Sequence, residues 1–475
     1  MKTTKKLYSV VLASAVLMLL LILVSSIALA TQPTITESPP AYKTYYCNTS
    51  SPVDSVAEFA PMGGVLIAYP GTIAPPKDKK QLPPSGSRSF GIPNELIIRM
   101  QQLDSKGDPV RIFVLCNDET QLPLIIKSLE ETAKSLKIAF DPNLVYLVPW
   151  DTDSYWTRDY GPWWIKNEKT GYFAIAKHTY TSLDVGSVGM VEGSEGVDPR
   201  EVSGIFSPND DAAAIKFSDW LNAPIRKWND AGLNGKKRPP IQTHDWYFTG
   251  LLDTGGNYMV TGDGIIASSY LVAKQNELPV ESEEQVTNPN ASAIEQRMEY
   301  IMDQCNRFLG ANKYLVLTDP TNTYIGHIDC WGKFLAPNKV LIAQSQDKKT
   351  NEALDGISDF FKKEGFEIFR VMCQDIYVPT AYTPSTTAAY TNSLILNDQV
   401  YVPLAGGKYK KFDDEALNVY RKALPGYEVV GIPGKPEFPW LGTDAIHCRT
   451  IGVPREVVDN WLKSQLWCKN NISSV

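Results

Sequence analysis

The sequence predicts an α/β fold, and two observations carry that expectation. Short β-branched and aromatic runs, mostly four to six apolar residues long, recur along the chain, each closed by Pro, Gly or polar residues. Between them stand segments whose apolar residues repeat at helical spacing, and strands alternating with helices over a whole chain pack as an α/β architecture. Composition agrees: 43% of the 475 residues are hydrophobic, ordinary for a globular chain of a length that buries a large core. No second composition regime interrupts the pattern, so residues 58–475 are expected to form a single domain.

Ahead of that domain, Lys2, Lys5 and Lys6 precede an uncharged run from Leu7 to Ala30 that ends Ala28-Leu29-Ala30. A basic start, an apolar stretch and a small-residue ending describe an export signal over residues 1–30. The run also reaches the length that spans a bilayer, so a cleaved signal and a membrane anchor through residues 7–30 are both open. Either places the body outside the cytoplasm: secreted, periplasmic or at the cell surface. Residues 31–57, rich in Pro, Thr and Ser, read as a linker.

Strands are expected in GGVLIAYPG, VRIFVLCND, LVYLVPWDTD, GIIASS, KYLVLTDP, KVLIAQS, EIFRVMC, NSLILNDQVYVPL and YEVVGIP. Helices are expected over Asn94–Leu103, Leu122–Leu136, Ala291–Leu309 and Asp413–Leu424; in the third, Ile294, Met298, Ile301 and Phe308 fall on one side. Leu183–Asp211 and Gln275–Ser292 read as surface loops.

Net charge is −7 and spread thinly, which argues against nucleic-acid partners and suits a cationic substrate. Seven cysteines and only four histidines (His178, His244, His327, His447) show no zinc-like spacing, and no metal or organic cofactor is expected.

Three strings concentrate the chemistry. Cys448 lies in GTDAIHCRT, among Gly442, Thr443, Asp444, His447 and Arg449, a hydrophilic loop that predicts an exposed, reactive thiol. In GHIDCWGKF, His327 and Asp329 stand two apart; an extended segment would point both the same way, an acid/base imidazole beside a substrate-binding carboxylate, with Tyr324 on the same pocket. In YWTRDYGP, Asp159 and Trp156 could hold a planar cation by hydrogen bonds and cation–π contact, with Arg158 structural, its bland reading an ion pair with Asp159. TGGNYM, after Asp253, reads as a close backbone approach or a positive-φ turn, and Asn392 in YTNSLIL as an amide at a strand entrance.

Taken in order, WTRDYGP, TGGNYM, HIDCWGKFLAPNKVLI, YTNSLILN and PWLGTDAIHCRT resemble the porphyromonad-type peptidylarginine deiminases, grouped with the bacterial and plant agmatine deiminases. The resemblance covers about residues 58–455. It implies a five-bladed, pseudo-symmetric α/β propeller with the active site on its axis. It also implies roles: Cys448 as nucleophile, His327 as general acid/base, Asp159 and Asp329 as guanidinium-binding carboxylates, Trp156 as pocket wall and Asn392 as a polar neighbour of the thiol. The reaction implied is hydrolysis of a guanidinium to a ureido group and ammonia through a cysteine thiouronium. Two departures stand out. Ile205 and Ser207, just before PNDD, occupy the positions aligned with two arginines that hold a peptide's terminal carboxylate in those enzymes. With 27 residues after Cys448, no immunoglobulin-like module is expected.

The substrate expected is an arginine-containing peptide or free arginine, with agmatine as the alternative. From other classes, a thiol protease lacks a protease-like string around Cys448, and an inactive surface binding protein would be expected to have lost one of the four reacting residues.

Overall fold

The computed structural model describes residues 42–47, 51–71, 88–101, 103, 107–180, 208–233, 239–276, 291–321, 323, 325–379, 381, 385–435 and 439–471. Residues 40–279 and 296–475 form one compact unit. Residues 1–30, on which the expected signal or anchor falls, and Tyr324, Ile205 and Ser207 lie outside the described residues. Among the described residues no helix is long and apolar enough to cross a membrane.

Five sheets repeat one plan: an antiparallel pair, then a helix, then a strand parallel to the second member of the pair. Gly332–Ala336 pairs antiparallel with Lys339–Gln344, which pairs parallel with Glu367–Met372 after the helix Lys348–Lys363. Leu394–Leu396, Gln399–Leu404 and Glu428–Pro433 repeat this around the helix Lys410–Ala423. Trp163–Asn167, Phe173–Thr179 and Trp246–Leu252 do so around Pro208–Leu233. Met259–Val260, Ile265–Ser269 and Lys313–Leu317 enclose Ala291–Leu309. In the fifth sheet Met62–Ala68 runs parallel to Arg111–Leu115, with Asn94–Met100 between them. Its antiparallel partner is Ile451–Pro454, so that strands from opposite ends of the body share one sheet.

Local chemistry explains the elements. Val65, Leu66 and Ile67 are fully buried, as a run buried on both faces requires. In Lys348–Lys363 the side chains Leu354, Ile357, Phe360 and Phe361 make one buried stripe. Asp347 caps that helix by accepting from Thr350 N at 2.8 Å, lysines 362 and 363 face its C-terminal dipole, and Gly365 at φ 98° turns the chain out.

The structure corrects several expectations. Tyr42–Tyr46 pairs with Lys313–Leu317, and Val53–Ser55 with Trp163–Asn167, so two short stretches of the expected linker 31–57 are woven into sheets. Tyr45 and Ser55 are the residues these two strands bury, one in each, too few for the Pro- and Thr-rich stretch to show a strand pattern. The first expected helix ends at Met100, because Leu103 bridges to Pro109 as extended chain. A helix starts at Pro208, inside the expected loop 183–211, and Lys348–Lys363 and Arg455–Asn471 add two more.

Candidate active site

The repeated plan places one residue of the site at the same point of each sheet, in the turn just before its first strand. Asp159 precedes Trp163–Asn167, Gly256 precedes Met259–Val260, and Asp329 precedes Gly332–Ala336. Asn392 precedes Leu394–Leu396, and Cys448 precedes Ile451–Pro454. Five short turns from five sheets therefore supply the site, and the hydrogen bonds show that they converge.

Cys448 is buried, which corrects the expectation of an exposed thiol. Asn392 Nδ2 donates to Cys448 Sγ at 3.1 Å, and the thiol faces Asp329 Oδ2 at 3.5 Å. The Asn392 amide oxygen in turn accepts from Ala445 N at 3.1 Å and Cys448 N at 3.3 Å, and its backbone carbonyl accepts from His447 N at 3.1 Å. One asparagine thus shapes the whole turn and aims its sulfur. The hydrophilic string around Cys448 packs inward because Arg449 is clamped by Asp444, at 2.8 and 2.6 Å, between the rings of Tyr155 and Trp440.

Asp329 sits in the 3₁₀ turn Ile328–Cys330, so the extended geometry expected for His327 and Asp329 is not what unites them. Gly256 is. A Cβ on it would come within 2.7 Å of Asp159 Oδ1 and of His327 Nδ1, and 3.2 Å of Asp329 Oδ2. The three groups crowd round a backbone that only glycine permits, and Gly256 N donates to Asp159 Oδ1 at 3.0 Å. Asn257 fixes this approach by accepting from Ser269 N, Ser269 Oγ and Ile328 N.

Electrostatics separates the two carboxylates. Burial, and then the charge of Asp329, pushes Asp159 well above the usual carboxylate range. Burial acts upward on Asp329 too, but the hydrogen bond and charge of His447, with the charge of His327, bring it below that range. His327 lies 3.9 Å from Asp159 and is driven down to about 4 by burial, so its imidazole is neutral in the empty site. Burial, followed by the charges of Asp329, Asp444 and Asp159, pushes the Cys448 thiol well above its ordinary value. The folded site therefore favours a protonated thiol, a neutral imidazole and an ionised Asp329, beside an Asp159 whose ionisation is resisted.

Trp156 is half-buried at the start of the one-turn helix Thr157–Tyr160, edge-on to Tyr155. Arg158 pairs with Glu58 at 3.7 Å rather than with Asp159, which corrects the ion pair weighed from sequence. Two participants escaped sequence reasoning. His447 bridges Asp329 Oδ2 and Glu58 Oε2, each at 2.8 Å. Its position beside Cys448 was the available signal; Glu58, at the edge of the expected linker, had none.

Residues 54–454 match the Porphyromonas-type peptidyl-arginine deiminase family. Agmatine deiminase of Medicago truncatula is 25% identical over 346 residues, spanning 66% of this chain and 79% of that protein. Among solved structures, agmatine deiminase of Enterococcus faecalis aligns with a TM-score of 0.56 and 20% identity, over 86% of this chain and 99% of that one. Agmatine deiminase of C. jejuni aligns with a TM-score of 0.51 and 15% identity, over 84% and 96%. These two likenesses concern the fold.

Proposed function

The chain belongs to the Porphyromonas-type peptidyl-arginine deiminase family, hydrolases of C–N bonds, and from that premise we propose that it converts the guanidinium of peptidyl or free arginine to citrulline and ammonia. The observation that carries the reading is the meeting of Cys448, His327, Asp159 and Asp329 within one buried site. The five repeated sheets are read as five blades around one axis, with the five turns at its end. The basic and apolar N-terminal segment supports export of the enzyme.

The empty site tells how the reaction starts. A guanidinium entering between Asp159 and Asp329 is held in plane by charge-assisted hydrogen bonds and returns Asp159 to its ionised form. Its positive charge also offsets the carboxylates that hold the thiol protonated. The Cys448 proton then passes to neutral His327, and the thiolate attacks the central guanidinium carbon. The imidazolium protonates the departing amino group, which leaves as ammonia, and a thiouronium remains on Cys448. His327 next takes a proton from water, the hydroxide displaces the sulfur, and the ureido product leaves with the thiol restored.

A second reading, deimination of agmatine to N-carbamoylputrescine, is favoured by the name of the Medicago truncatula relative and by Ile205 and Ser207 standing where a carboxylate clamp was expected. Ureido product and ammonia should be measured with an arginine-containing peptide, free arginine and agmatine in parallel. Citrulline from the peptide supports the first reading. Turnover of agmatine with an inert peptide replaces it by the second. Ammonia from none of them rejects deimination and leaves a surface binding protein.

A further inference from the structure

Behind the reacting groups lies a second buried ionic assembly, on the other side of Asp329. His447 Nδ1 meets Asp329 Oδ2 and its Nε2 meets Glu58 Oε2, each at 2.8 Å. Glu58 also receives Lys333 Nζ at 2.8 Å, lies 3.7 Å from Arg158, and accepts from Ile395 N at 2.6 Å. A cavity of about 70 Å³ is lined by Glu58, Arg158, Asp329, Lys333 and His447 but by none of Cys448, His327, Asp159 or Asn392. His447 and Asp329 are therefore the partition between the reaction site and this cavity.

An ionised carboxylate only accepts hydrogen bonds. Both ring nitrogens of His447 face carboxylate oxygens, so each is placed to donate and the ring is held in a fixed plane. Burial acts upward on Glu58, but Lys333, His447 and Arg158 together bring it well below the usual carboxylate range, consistent with an ionised partner. His447 Nδ1 and Cys448 Sγ share one Asp329 oxygen at 2.8 and 3.5 Å, which puts the ring within about 6 Å of the sulfur, a range in which a charge acts strongly.

We propose that His447 is a positioning residue for the deimination reaction: a clamped imidazolium that locks Asp329 toward the substrate and supplies the fixed positive charge that makes the Cys448 thiolate attainable, with Glu58 setting its grip. The other charges facing the thiol act against it or cancel. Asp159 and Asp444 are carboxylates, Arg449 is spent on Asp444, Lys333 and Arg158 are spent on Glu58, and His327 is neutral in the empty site. His447 shares the thiol's own turn and is fixed from both sides, so its charge cannot swing away.

This inference rests on the deiminase reading, but its test does not. The full chain, without substrate, is alkylated with iodoacetamide across a range of pH, and modification of Cys448 is followed by peptide mass spectrometry. His447→Gln should move the midpoint of Cys448 alkylation up by about one pH unit or more. Glu58→Gln keeps an amide oxygen to accept from His447 Nε2, so the ring stays held, but frees the charges of Lys333 and Arg158 and should move the midpoint down by less. Lys333→Met, a cation farther back, should move it up slightly and serves if His447→Gln does not fold. A purely structural clamp predicts that all three variants disturb the thiol in one direction. That result, or midpoints unchanged from the wild type, overturns the proposal, whereas opposed shifts support it whether or not any guanidine is turned over.

Discussion

Two places in this molecule suit a guanidinium, and one of them is permanently filled. Arg449 is fully buried, takes both oxygens of Asp444 at 2.8 and 2.6 Å, and lies between the rings of Tyr155 and Trp440 at 4.8 and 5.1 Å. Burial works against its charge, yet Asp444 holds the proton more tightly than in free arginine. One residue back along the chain, Cys448 faces the pocket of Asp159 and Asp329, where Asp329 meets His447 at 2.8 Å but Asp159 is met by the Gly256 backbone N–H at 3.0 Å and by His327 at 3.9 Å. Asp159 is pushed well above its ordinary range there. The same chemistry is satisfied in one place and frustrated in the other. The filled clamp holds the Cys448 turn; the open one stores the electrostatic cost that a substrate relieves.

The sharpest way to break the comparison is at the sulfur between them. Cys448→Ala should lower deimination by on the order of 10⁴-fold or more, measured as ammonia release, while guanidine binding survives. Retained turnover would sink the covalent route.

Asp159→Asn should separate binding from stability. The amide oxygen keeps the bond from Gly256 N, but the charge is lost, and kcat/KM should fall on the order of 10²–10³-fold. Stability should move the other way. Because the folded pKa of Asp159 exceeds the unfolded value, ionisation opposes folding, a penalty absent at low pH and fully present above the folded pKa. The variant should therefore melt higher than wild type at alkaline pH, by about 1 kcal/mol or more. An unchanged or lower melting temperature would contradict the account of a frustrated pocket.

Arg449→Lys tests the filled site. Lysine cannot reproduce the two-pronged bond or the stacking, so urea unfolding should report a loss of about 3 kcal/mol. Activity should fall less than in Asp159→Asn, because the residue grips the turn and not the substrate. A loss confined to activity would mean that Arg449 acts in the reaction.

The last test is a pH dependence and concerns His327. Its folded pKa of about 4 lies below the unfolded value, so the unfolded chain binds the proton more readily between about pH 6.5 and 4. That contribution to stability is intact above the upper bound and declines by up to about 1.4 kcal/mol per pH unit as pH falls through the window. His178 and His244 behave alike, while Asp210 and Asp253, raised to about 7, oppose them. Relative to wild type, His327→Asn should thus gain stability steadily as pH drops from 6.5 to 4. A difference independent of pH would show that His327 protonates freely in the folded protein.

Much of the site was legible because particular atoms are needed for the chemistry. The resemblance carried by WTRDYGP, HIDCWGKFLAPNKVLI and PWLGTDAIHCRT singled out Asp159, His327, Asp329 and Cys448 as candidates, and the structure brings those four together. What misled was local context. Polar neighbours suggested an exposed Cys448, but Asp444 and Arg449 neutralise each other and go inside with it. Glu58 was invisible because its partners His447, Lys333 and Arg158 are hundreds or at least about a hundred positions away, and nothing in VAEFAP announces them.

By itself, the sequence determined the alternation of strand and helix, the inventory of reacting side chains and the turns that carry them, since each depends on neighbours a few residues apart. Only the tertiary structure decided that five separate turns meet, that the thiol is buried and held by Asn392, and that Asp329 and Asp159, alike as residues, differ as acids. Those outcomes depend on burial and on charges brought close by folding, which no local stretch of chain contains.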